Sequence, residues 1–328
     1  MKIQQCSLQN NLWRRTGWST SAFSCTSSRR PYGSQPVSRY KPLEVLDDDS
    51  ITAFREKSFK PERPIILPRR SFRHLPAYDC WFHHSSIEPN VSRLNVEYLA
   101  QHGADALVPL ELTQSQSQTP KANECPENAQ LSFRKFHAPL SLFLQWIRDA
   151  ESQSQLTPTR LYLAQCQLFD LPQALRDDIP TPQLVSESGK GDIYDTNIWI
   201  GYPPTYTPLH RDPNPNLFVQ LAGRKVVRLL APQEGQAVFA RVRGQLGRSG
   251  GREAAVFRGE EMMQGRERAL LEREVWSDSD ARTGEGEGCE GFEAELEAGD
   301  GLFIPKGWWH SIKGVGMNVT ASVNWWFR

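Results

Sequence analysis

No stretch of the chain approaches the ~18 consecutive apolar residues that a membrane-crossing helix needs, so no membrane is expected as a partner. Nor is there an excess of charge of either sign, since 38 Lys and Arg stand against 38 Asp and Glu in 328 residues. Such a balance sets up no global field toward a polyanion, so no obligatory nucleic acid is expected either. The six cysteines, at 6, 25, 80, 125, 166 and 289, include no C-x-x-C pair. That excludes the usual zinc knuckle and a compact disulfide framework, and a reducing compartment is the simpler expectation. Acidic residues are missing altogether before Glu44, whereas residues 1–41 hold seven Lys or Arg among abundant Ser and Thr. This bias fits a mitochondrial transit peptide and a disordered tail equally well. Residues 1–43 are therefore expected to stand outside the fold as a leader. The location is mitochondrial if the leader is a transit peptide, and nuclear or cytoplasmic otherwise.

What is present is ordinary globular composition, 38% hydrophobic and 23% charged, enough for one large domain over residues 44–328. Its first part, residues 44–190, reads as rich in helix. A helix-like start covers 48–59, and 64–68 is a short apolar strand bounded by prolines. Val91, Leu94, Tyr98 and Leu99 predict a helix over about 91–102, stopped by Gly103. Leu140, Phe143, Leu144 and Ile147 predict another after Pro139. Residues 114–123 are polar and read as a surface loop. From 191 onward the pattern changes to eight short runs, at 197–201, 207–212, 216–221, 225–230, 292–297, 301–304, 308–312 and 318–327. Such runs broken by Gly, Pro and Asn predict an all-β sandwich or barrel. A Gly-, Arg- and Glu-rich insertion at 233–291 interrupts the series. It is expected to be solvated, with a charged helix over 260–276.

Within the β part, His210-Arg211-Asp212 is followed a hundred positions later by His310. Residues i and i+2 of a strand point the same way, so His210 and Asp212 reach one point while Arg211 turns out. Two imidazoles and a carboxylate are the protein half of the facial triad that holds non-haem Fe(II) and leaves the opposite positions open. The alternative reading is a surface strand pair and an unrelated core histidine. Only two of the seven histidines lie beyond position 137, and both fall in these motifs, which favours the metal site.

The surroundings are as informative. Tyr206-Thr207-Pro208-Leu209-His210-Arg211-Asp212-Pro213 runs on to Asn216 and Gly223-Arg224-Lys225-Val226-Val227. Gly299-Asp300-Gly301-Leu302-Phe303-Ile304-Pro305 leads through Trp308-Trp309-His310 to Val323-Asn324-Trp325-Trp326. With Tyr162-Leu163-Ala164-Gln165 and Asn197-Ile198-Trp199-Ile200-Gly201, these blocks resemble the JmjC-domain, cupin-like oxygenases. The likeness is strongest to the small arginyl and asparaginyl hydroxylases. It implies a mainly β fold with flanking helices, the double-stranded β-helix or jelly roll. It also implies Fe(II) as metal, 2-oxoglutarate as cosubstrate and O2 as oxidant, with succinate and CO2 released.

Carried over residue by residue, the resemblance makes His210, Asp212 and His310 the iron ligands. It sets Lys225 and Thr207 against the distal carboxylate of 2-oxoglutarate, with Tyr162 beside them, and has Asn216 steady the cosubstrate near the metal. Asn324 alternates with Val323 and Trp325 and shares a face with Thr320 and Ser322, so it is a further candidate to point into the barrel. Trp199, Trp308 and Trp309 read as core and rim. The expected partner is a protein or peptide substrate that becomes hydroxylated, and some relatives form homodimers. Lysine demethylation, hydroxylation of a tRNA base, and a binding module without turnover are the other readings.

Overall fold

The computed structural model describes residues 39–88, 91–115, 131–152, 159–248, 260–277 and 291–328. In chain order its strands are β1 (Tyr40–Pro42), β2 (Ile65–Ile66), β3 (Phe82–His84), β4 (Ser92–Leu94), β5 (Leu107–Ser115), β6 (Leu131–Pro139), β7 (Thr159–Gln167), β8 (Ile193–Gly201), β9 (Thr205–Arg211), β10 (Asn216–Ala222), β11 (Arg224–Leu230), β12 (Gly291–Leu296), β13 (Gly301–Ile304), β14 (Trp309–Val315) and β15 (Thr320–Phe327). The helices are α1 (Ile51–Phe54), α2 (Pro76–Cys80), α3 (Val96–Gly103), α4 (Leu140–Ser152), α5 (Gln173–Asp177), α6 (Gln183–Glu187), α7 (Pro232–Gln245), α8 (Glu260–Met263) and α9 (Gly265–Trp276).

All eight runs expected after residue 191 are strands, and they belong to two sheets. One has the order β1-β12-β11-β14-β9 and the other β2-β13-β10-β15-β8-β7-β5-β6. Neighbours in space are distant in sequence: β10 lies between β13 and β15, and β11 between β12 and β14. This is the jelly-roll arrangement, in which two sheets share one interior. Along β10 and β15, alternate residues Leu217, Val219, Leu221, Val323 and Trp325 join an outer core with Phe143, Leu144 and Ile147 of α4. The intervening residues Asn216, Gln220, Ser322 and Asn324 are buried on the opposite, inner face.

Several expectations change. The segment 91–102 divides into β4 and α3, because Asn95 breaks the run and caps the helix, its Oδ1 accepting from the Tyr98 amide at 3.2 Å. Residues 44–190 are less helical than expected: β5, β6 and β7 add nine residues each and widen the eight-stranded sheet. Pro109 inside β5 obscures its alternation, since proline is a poor strand marker. Gln114 and Ser115, expected in a loop, close β5, and the rest of that loop lies outside the described residues. Tyr40–Pro42, ahead of the boundary expected at 44, pairs in parallel with β12. The remainder of the leader lies outside the described residues.

The largest correction concerns the insertion. Helices α7 and α9 bury Val238, Phe239, Val242, Leu270, Leu271 and Val275 against Leu209, Leu230 and Trp309. These helices form a second core behind the strands that carry the histidines. The expected helix over 260–276 is divided at Gln264, whose backbone is extended, and resumes at Gly265, which has φ +75°. The sequence hides the apolar stripe because it is narrow and flanked by charge. Buried Glu267 takes Arg243 and Arg248 at 2.9 and 3.3 Å, and buried Glu274 takes Arg241 at 3.1 Å. Thr283 to Gly288 lies outside the described residues, among which no helix is long and apolar enough to cross a membrane.

Candidate metal centre

His210 and His310 stand directly opposite each other in the antiparallel pair β9–β14. Asp212 follows the last residue of β9, and its carbonyl accepts from the Gly307 amide at 3.3 Å. All three side chains are buried, and one donor atom from each lies within 4.8 Å of the others. The Nε2 atoms of His210 and His310 are 3.9 and 3.6 Å from the two Asp212 oxygens.

Backbone carbonyls fix the histidine tautomers. Nδ1 of His210 meets the Pro208 carbonyl at 2.8 Å, and Nδ1 of His310 meets the Trp308 carbonyl at 3.2 Å. A carbonyl only accepts, so each Nδ1 carries the proton and each Nε2 presents a lone pair to the shared point. Burial, followed by the neighbouring His310, lowers the His210 pKa to about 4 against the opposing pull of Asp212. The imidazole is therefore neutral near pH 7, the state a metal requires. Asp212 is oriented from behind: Oδ2 accepts from Nδ2 of Asn216 at 2.8 Å and from Nε1 of Trp326 at 3.1 Å. Two neutral nitrogens, one aligned carboxylate and burial suit a divalent transition metal, and the donor set matches the facial triad.

The pocket that opens on these donors is also lined by Tyr162, Thr207, Asn216, Lys225 and Asn324, so all eight residues singled out by sequence meet in one place. Lys225 stands four residues along β11 from Leu229, the residue paired with His310, and so lies away from the three donors. Its Nζ is buried, 2.6 Å from Oγ of Ser322 and 3.5 Å from the Tyr162 hydroxyl, over the Phe218 ring at 5.3 Å. Burial lowers its pKa to about 7 and raises that of Tyr162. A Cβ on Gly201 would run into the Tyr162 ring; this glycine gives the ring room to turn toward Lys225. Asn216 Oδ1 and Asn324 Nδ2 are buried in the pocket wall without a protein partner. A buried polar atom of this kind marks where a ligand or water completes the site.

Four participants escaped the sequence reading. Ser322 was noted only for its face, yet it is the nearest partner of Lys225. Trp326 belongs to the Val323-Asn324-Trp325-Trp326 block but carries no role there, and its indole N–H reaches Asp212. Trp199 faces the pocket rather than the core, donating from Nε1 to Oδ1 of Asn324 at 2.8 Å. Gln165 also lines the pocket with a positive φ of 53°. It lies where the β7–β8 register slips between Leu163 and Cys166. A bulge re-aims one side chain, which strand alternation does not reveal. The other two tryptophans are where expected. Trp309 is core, and Trp308 is a rim residue whose Nε1 donates to the Glu62 carbonyl at 3.0 Å.

A jelly roll whose inner wall gathers two imidazoles and a carboxylate has the architecture of a cupin. The chain belongs to the cupin-like domain family, whose model matches residues 51–328. Among curated proteins it is similar to lysine-specific demethylase JMJ30 of Arabidopsis thaliana, 27% identical over 87% of this chain and 55% of that protein. It is also similar to Jumonji C domain-containing protein 5 of Drosophila melanogaster, 23% identical over 87% of this chain and 59% of that protein. Lysine-specific demethylase 8 of Xenopus tropicalis is 23% identical over 87% of this chain and 52% of its own length. The chain thus spans a little over half the length of these curated relatives, and the JmjC resemblance drawn from its motifs is borne out.

Proposed function

We propose that the protein is an Fe(II)- and 2-oxoglutarate-dependent dioxygenase that hydroxylates a side chain of a protein substrate. The observation that carries this reading is one pocket lined both by the His210, Asp212 and His310 donors and by the buried Lys225 amine, which stands four residues along β11 from the residue paired with His310. When bound, iron and cosubstrate supply oxidative decarboxylation of 2-oxoglutarate coupled to oxidation of a C–H bond, and the chain supplies binding and orientation. Lys225 neutralises the distal carboxylate as a point charge, with Ser322 aligning the ammonium and the hydroxyls of Tyr162 and Thr207 donating beside it. Asn216 and Trp326 hold Asp212 in a fixed rotamer, the task outer hydrogen-bond partners perform at metal sites. Asn324 offers its unpaired N–H to the ligand. Trp199 and Trp326 line the pocket and limit water there.

Several relatives are named lysine demethylases, and loss of an N-methyl group would proceed by the same oxidation in the same pocket. Incubating the purified chain with Fe(II), ascorbate, 2-oxoglutarate and a peptide library distinguishes the two. Mass spectrometry is expected to show peptides gaining one oxygen atom; loss of a methyl group would establish demethylation instead. Asp212→Ala is expected to abolish succinate release without unfolding the chain, and turnover surviving that change would refute the assigned ligands.

A further inference from the structure

Thr207 and His210 both line the pocket although they are three residues apart. In a regular strand, residues three apart face opposite sides, so β9 changes parity between them. It does so where the β9–β14 register slips: His210 is opposite His310, but Thr207 is opposite Ile312. Pro208 and Leu209 together face the single residue Ser311, the two-against-one count of a β-bulge. Pro208 has no N–H to give to the ladder, and its carbonyl is the one that receives Nδ1 of His210. The aim of the His210 ring therefore depends on the shape of the bulge.

Two side chains brace that shape from outside the barrel. Ser311 is fully buried; its Oγ donates to the Thr207 carbonyl at 2.8 Å and accepts from Nε1 of Trp276 at 2.9 Å. Trp276 is the last residue of α9. Its ring is fixed in turn: the Arg228 guanidinium lies 4.6 Å from it and 4.4 Å from the Tyr40 ring. The same guanidinium donates to Glu293 and to the Val275 carbonyl, each at 2.7 Å. Lys313 covers the indole at 4.8 Å.

We propose that Ser311 and Trp276 are positioning residues for the metal centre. The chain of hydrogen bonds from Trp276 through Ser311 to the Thr207 carbonyl fixes the bulge and hence the direction of His210. The inserted helix α9 thereby sets ligand geometry without touching metal or substrate. This inference rests on the metal reading of His210, Asp212 and His310, and it assigns a role to residues that no motif marks.

The test uses the full chain and Co(II), whose visible absorption reports ligand geometry independently of turnover. Ser311→Ala removes the relay. Trp276→Phe removes only the indole N–H and keeps an aromatic ring against Arg228, so it stays informative if the first variant folds poorly. Each variant is expected to weaken Co(II) binding by about tenfold, the low end of the effect of outer-shell changes on metal affinity, and to shift the visible spectrum with circular dichroism unchanged. Because both act through one chain of bonds, the double variant is expected to be no weaker than Ser311→Ala alone; additive losses would overturn the shared relay. Variants indistinguishable from a Co(II)-binding wild type would overturn this inference alone. A wild type that takes up no Co(II) would overturn the metal centre and this inference with it.

Discussion

Lys225 is the residue at which stability and use conflict most directly. The residue is 2% exposed, and the partners of its Nζ are a hydroxyl at 2.6 Å and a phenol at 3.5 Å. Neither supplies the opposite charge that would offset desolvation of a cation. Lys225→Met, nearly isosteric and apolar, is expected to stabilise the ligand-free protein by about 1–4 kcal/mol, the range seen when buried charges give way to apolar side chains of similar volume. The same change is expected to raise the 2-oxoglutarate requirement sharply while leaving Co(II) affinity close to wild type. Urea melts and calorimetric titration check both halves, and a destabilised variant would count against a charge held there for binding. At this scale much was legible. Spacing alone placed His210 beside Asp212, and the Gly223-Arg224-Lys225 block pointed to the lysine. Ser322 and Trp326 were not legible, because serine and tryptophan in a strand read as packing residues until their neighbours across the sheet are known.

Helices α7 and α9 show how far an element's role can depart from its composition. Arg and Glu dominate α9 and α7 is rich in Gln and Gly, yet their apolar stripe closes over Leu209 and Trp309, the residues immediately before the two histidines. The contact is tight at Gly235, where an added Cβ would overlap the Trp309 ring. Gly235→Ala brings two opposed effects. Replacing glycine inside a helix gains about 0.5–1 kcal/mol. Overpacking against a rigid ring, here 1% exposed, costs about 1–3 kcal/mol. The second is larger, so a net loss of stability is expected, together with weaker metal binding as Trp309 shifts His310. A urea midpoint at or above that of the wild type would contradict this packing. The strand series was legible from its alternation, whereas the role of the insertion was not. Its charges become acceptable in a core because Glu267 and Glu274 of α9 find Arg243 and Arg241 on α7 and Arg248 just beyond its end.

Across the whole molecule, the site exists because two sheets built from interleaved segments face one another, and that closure has a pH signature. The Lys225 pKa falls from 10.5 in the open chain to about 7 in the fold through burial. Between these values the unfolded chain binds more protons than the folded one, so stability of the ligand-free protein rises with pH across the window and is level below about pH 7, where both states carry the proton. Cosubstrate binding runs the other way. It needs the cationic lysine, so affinity for 2-oxoglutarate is expected to weaken above about pH 7, by up to tenfold per pH unit, until the pKa of the bound form is passed. Calorimetric affinities at several pH values test this, and a flat profile would remove Lys225 from the binding site. By itself the sequence determined the ligand types, the alternation that turns them inward and the family to which the fold belongs, because these are local properties of period and residue chemistry. Only the tertiary structure decided that Thr207 and His210 share a face, that Ser322 meets Lys225 and that α9 reaches the metal strands. Each of these depends on register and on side chains far apart in sequence, and a bulge of one residue reverses what strand period alone would assign.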